Sequence, residues 1–110
     1  MGEQFEELYQ KSGNASICKE IMRSVDSLLN SEKIIMNQTG WLSLTSHISA
    51  MVYRSINAET LQPLDVNLFN EVSTESINLA EKICFMLPNL HEHEKYLLSI
   101  HFEAAKINNK

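Results

Sequence analysis

In four stretches of the chain, apolar residues recur with the period of an α-helix and polar residues fill the positions between. From Asn14 to Asn30, Ile17, Ile21, Val25 and Leu28 fall on one face, and Cys18, Met22 and Leu29 widen the stripe. A second stripe of Leu44, Ile48, Met51 and Ser55, broadened by Val52 and Ile56, predicts a helix from about Leu42 to Asn57, opened by Thr39-Gly40. Ser73 is placed to cap a third helix from Thr74 to Leu87. There Glu75 suits the positive end, Ile77, Ala80, Cys84 and Leu87 keep helical spacing, and Pro88 stops the run. Asn89-Leu90-His91-Glu92 has the form of a capping box, so a last helix is expected from Leu90 to about Asn108.

The segments between these stripes read differently. Ile34-Ile35-Met36 is an apolar connector, and residues 58–71 hold Pro63, Asp65 and two asparagines, the mark of a loop with at most one short helix around Asp65 to Asn70. Residues 1–13 form an N-terminal extension or a short helix through Phe5 and Leu8, ended by Gly13-Asn14; residues 14–110 form one domain. No stretch alternates with the period of two that a half-buried strand requires. The expected fold is all-α, a compact antiparallel bundle of four to five helices.

Composition narrows this further. A chain of 110 residues, 44% hydrophobic, closes one modest core, and with only three glycines and two prolines it does not read as disordered. The net charge of −5 sets the surface against phosphate backbones, so direct nucleic-acid binding is not expected. No apolar run reaches membrane-spanning length. The first residues lack the basic and apolar regions of a signal peptide, and Glu6 stands where a myristoylation motif wants Ser or Thr. A cytoplasmic protein without membrane contact is the expectation. Cys18 and Cys84 each fall in an apolar helical phase and read as reduced thiols packed like small hydrophobes.

The sequence holds no Gly-rich phosphate loop, paired-cysteine motif, HExxH or Gly-x-Ser-x-Gly elbow, so the protein is read as a non-enzyme with no cofactor. Four histidines remain. His47 and His101 sit inside predicted helices, beside the core stripes. One reading makes them partly buried, hydrogen-bonded bundle residues. The other has both face a cleft between the second and last helices, where a neutral imidazole nitrogen accepts a phosphoryl group. Arg54, two turns after His47, shares its face; it is either a phosphate-steadying guanidinium or a solvated residue favoured by the helix dipole. His91 and His93 would point opposite ways on a helix, so with Glu92 and Glu94 they read as a solvated acidic first turn and no metal site is assigned. A small metal-dependent enzyme using His47, His91, His93 or His101 with a nearby Glu is the outlying alternative. Trp41 has too few basic neighbours to stack on nucleobases and reads as an anchor for the start of the second helix.

Two segments carry a resemblance. Leu44-Thr45-Ser46-His47-Ile48-Ser49-Ala50-Met51-Val52-Tyr53-Arg54 is similar to the Leu-Thr-x-His-Ile run, with an Arg seven residues on, of the PTS regulation domain. Leu87 to Glu94 leading into Tyr96-Leu97-Leu98-Ser99-Ile100-His101-Phe102 resembles the acidic helix start and His-Phe pair of the same family, the helical module of bacterial antiterminators and activators governed by the sugar phosphotransferase system. The resemblance covers nearly all of residues 14–108. It implies a five-helix bundle that usually dimerises and is phosphorylated on histidine by the phosphocarrier protein or a sugar-specific permease component. His47, His101 or both are then the phosphoacceptors, Arg54 the phosphate-stabilising residue, and the molecule a free-standing single module that pairs with itself or with a transcriptional regulator. An interaction module of the same fold that has lost phosphorylation is the alternative.

Overall fold

The computed structural model describes residues 2–108; residues 1, 109 and 110, the outer ends of the two expected segments, lie outside them. Among the described residues five α-helices are present: α1 (Gly2–Lys11), α2 (Ala15–Ser31), α3 (Gln38–Asn57), α4 (Thr74–Cys84) and α5 (Glu94–Asn108). A 3-10 turn at Val66–Phe69 stands where the short helix of the long loop was expected. The architecture is the anticipated all-α bundle. Its radius of gyration, 13.3 Å, is that of one globular unit of this length.

Helix α3 lies at the centre and packs on α1, α2 and α5, while α4 pairs with α5 and closes on α2. The stripes read from the sequence meet in one core. Cys18, Ile21, Val25 and Leu29 of α2 and Leu44, Ile48, Met51 and Val52 of α3 are buried as expected. Of the α4 stripe Ala80 and Leu87 are buried, whereas Ile77 and Cys84 are only half-buried and Leu79 and Ile83 take the core positions, joined by Leu98 and Phe102 of α5. Ile56, expected to broaden the second stripe, is 47% exposed. Cys18 is buried, Cys84 is half-buried, and both are free thiols.

Helix ends follow side-chain chemistry, and three differ from expectation. Helix α3 begins at Gln38, a turn before Leu42, because Asn37 caps it: its Oδ1 accepts the Gly40 N–H at 2.8 Å. Trp41 therefore lies inside the first turn, packed against the core. Helix α4 starts at its expected cap, Ser73, but ends at Cys84, and Phe85 to Leu87 continue as tight turns. Pro88 disfavours helical geometry at the residue before it, so the chain unwinds ahead of it. Helix α5 begins at Glu94, and the capping box does not form. Asn89 has φ +63°, a left-handed conformation, whereas a helix-capping residue is extended. Its side-chain amide donates instead to the Ser55 carbonyl at 3.4 Å.

Candidate functional site

The cooperation of α3 and α5 brings the two predicted histidines together. The stripe that buries Leu44 and Ile48 leaves His47 at its edge, and the stripe that buries Leu98 and Phe102 leaves His101 at the edge facing it. Their ring centroids are 5.1 Å apart, with the planes inclined at 54°. The two rings are not equivalent. His101 lines a cleft of about 390 Å³ whose other walls are the connector residues Ile35 to Asn37, the first turns of α3 at Thr39, Gly40 and Ser43, and Ala104 and Ala105. His47 sits behind it, and its Nε2 is buried without a hydrogen-bond partner.

Burial sets the charge of both rings. Desolvation, reinforced by the nearby His101 and Arg54, pushes His47 down to about 4, and burial lowers His101 as well. Both rings are neutral at neutral pH and keep an unshared nitrogen pair, the form that attacks phosphorus.

Arg54 is committed to a partner that the sequence reading missed. Its Nε and Nη2 each donate at 2.7 Å to the two carboxylate oxygens of Glu94, whose side chain is completely buried. Glu94 was read as part of a solvated acidic turn; the fork of Arg54 takes it into the interior instead. The signal available was an acidic residue at the head of an apolar helix with one unassigned Arg elsewhere. The same junction is tied by the Ser55 hydroxyl, which donates to the Pro88 carbonyl at 2.6 Å. Beyond Glu94, Arg54 borders a second groove between α1 and α3 with Lys11, Ser46 and Tyr53.

His91 and His93 were expected to point apart, as on a helix. They precede α5, and their rings meet edge to face at 4.7 Å. The Nδ1 of His91 accepts the His93 N–H, and the Nδ1 of His93 accepts the Leu64 N–H, each at 3.0 Å, which fastens the long loop to the start of α5. Phe69, buried in the 3-10 turn, packs on Tyr96 at 5.5 Å and secures the other end of that loop. Among the described residues no group of three His, Cys, Asp or Glu is arranged to hold a metal ion. Among them, too, no helix is long and apolar enough to cross a membrane. Trp41 lies beside Phe5, Tyr9 and Met22, an anchor between α1, α2 and α3.

An all-helical bundle that sets one neutral histidine on the wall of a cleft and packs a second against it defines a class of histidine-bearing helical module. Comparison with known proteins agrees. Residues 16–105 match the PRD domain. A crystal structure of a PRD-containing transcription regulator from Lactobacillus casei ATCC 334 is similar, with a TM-score of 0.89 and 31% identity over 96% of this chain and 94% of that one. No curated protein matches. The chain belongs to the PRD family and is a regulatory module of that kind.

Proposed function

We propose that this chain is a cytoplasmic regulatory module of the sugar phosphotransferase system, and that His101 accepts a phosphoryl group from the phosphocarrier protein or a sugar-specific permease component. The observation that carries the reading is the placement of His101: a neutral imidazole on the wall of an open cleft, where a donor surface can reach it. His47 is the second acceptor candidate, set behind the first ring. Arg54 has five N–H donors, of which Glu94 engages two; because it borders the groove between α1 and α3 and its charge is felt at His47, the remaining three would serve a phosphoryl group on His47 rather than one on His101.

A phosphoryl group adds about 1.5 to 2 negative charges, by analogy with other phosphorylated residues, to a chain already at −5. That charge works on whatever surface faces the cleft: a second copy of the chain or a partner regulator. A coupling of about 1–3 kcal/mol shifts such pairing roughly 5- to 150-fold.

The test is incubation with phosphoenolpyruvate, the first enzyme of the system and the phosphocarrier protein, or with permease components, followed by mapping of acid-labile mass. Label on His101 that His101→Gln abolishes supports the reading; no label with any donor overturns it. A second reading, an interaction module without phosphorylation, draws on the buried Nε2 of His47 and the engagement of Arg54 with Glu94. Under it, glutamine at both histidines alters stability and leaves partner binding unchanged.

A further inference from the structure

A buried nitrogen with no partner is rare in a folded protein and calls for a reason. His47 Nε2 is such an atom, and the His101 imidazole, which can carry an N–H, is packed against the same ring. A straight N–H···N bond of about 2.9 Å between two imidazoles sets their centroids about 5 Å apart. These centroids stand at 5.1 Å. The bond is not made in the present orientation, but the torsion that spins an imidazole about its Cβ–Cγ bond is broad and soft. A turn of the His101 ring that set one nitrogen against His47 Nε2 would leave the other toward the cleft that His101 lines.

We propose that His47 is a positioning residue for His101: its buried Nε2 accepts the N–H of His101 and so fixes the unshared pair of the second His101 nitrogen toward the cleft. The proposal rests on His101 being the phosphoacceptor and adds how that acceptor is oriented.

The chemistry balances as an exchange between rings. The cleft-side nitrogen of His101 gives its electron pair to phosphorus and forms the new N–P bond. The bond from phosphorus to the donor's ring nitrogen breaks, and its pair returns to that nitrogen. The donor ring, which carried a proton on its other nitrogen, leaves neutral. His101 now carries the phosphoryl group on one nitrogen and keeps its proton on the other, so positive charge develops on the N–H that faces His47. A hydrogen bond to that proton strengthens as the charge appears, so it stabilises the transfer more than the resting ring. His47 is suited to accept this bond without taking the proton, because it resists protonation down to about pH 4.

Long-range ¹⁵N spectra of the ring nitrogens test the orientation without any phosphoryl donor. In the unaltered protein, His101 should show a single tautomer with a hydrogen-bonded proton. His47→Phe, which has no acceptor, should give a mixture of tautomers and phosphorylate about tenfold more slowly. His47→Gln, whose side-chain oxygen accepts, should restore both. Mixed tautomers at His101 in the unaltered protein overturn the proposal even where the Phe variant fails to fold. An unchanged tautomer and rate in His47→Phe overturn it too, as does label found only on His47. Ordered tautomers that His47→Phe disrupts, in a protein that takes no label, support the orientation and overturn the acceptor reading alone.

Discussion

The two imidazoles owe their state to burial, and burial makes a pH prediction. An unfolded histidine titrates near 6.5, whereas folded His47 titrates at about 4 and His101 is lowered in the same direction. Between those values the unfolded chain binds protons that the folded chain refuses, so stability rises with pH. The stabilisation is fully present above about pH 6.5 and is lost as the pH falls toward 4. For His47 alone it is on the order of 3 kcal/mol across the window. Urea midpoints should therefore drop between pH 7 and pH 5, and glutamine at both positions should flatten the drop. The Arg54–Glu94 pair gives a second expectation at this scale. Arg54→Ala leaves a carboxylate completely buried without a partner and should cost about 3–5 kcal/mol in chemical denaturation. Leucine at both positions should recover most of that loss, because the penalty lies in the orphaned charge.

At the scale of the element, helix ends were harder to read than helix faces. Ser73 caps as its sequence suggests, accepting the Ser76 N–H, and Asn14, read only as a stop for the preceding segment, caps α2 by accepting the Ile17 N–H. Asn37 caps equally well, but the Thr39-Gly40 pair drew the expected start past it. The capping-box letters at Asn89 to Glu92 lost to tertiary contacts: Ser55 bonds to both Pro88 and Asn89, and Arg54 captures Glu94, so the turn is shaped by α3. The end of α3 shows a further feature hidden from pattern reading. Ala58 adopts a left-handed conformation at φ +52°, with its N–H and that of Glu59 returning to the carbonyls of Ser55 and Arg54. Glycine is the residue suited to that position. Ala58→Gly should raise the unfolding free energy by about 0.5–1 kcal/mol, measured in urea; a loss of stability would argue against the turn as drawn.

Across the whole molecule, α1 is a working part of the bundle. It buries none of its residues fully, yet Leu8 and Tyr9 are half-buried, and the Leu8 carbonyl accepts a hydrogen bond from Ser49 of α3 at 2.6 Å. It also brings Phe5 and Tyr9 beside Trp41, the single tryptophan of the chain. Removing residues 1–13 should lower the melting temperature and shift Trp41 emission to longer wavelength as water reaches the indole. Unchanged emission would place α1 outside the folded unit. The last tie, between α4 and α5, runs through Glu103, whose carboxylate accepts the hydroxyls of Ser73 and Ser76 at 2.8 Å each. Those hydrogen bonds hold its carboxyl below the usual carboxylate range.

Periodicity alone determined that there would be helices, which faces α2 and α3 bury, and that His47 and His101 stand beside core stripes. A repeating apolar stripe leaves a helix few other ways to hide it. The meeting of the two rings, the burial of the His47 Nε2 and the capture of Glu94 by Arg54 were decided by the packing of α3 against α5. These depend on the rotation and offset of one helix against another, which spacing within a single segment does not encode. The pairing of His91 with His93 was decided in the same way, because a turn held from outside replaced the helix that local letters favoured. Burial then fixed the charge states, since desolvation is a property of the assembled molecule and not of any residue's neighbours in sequence.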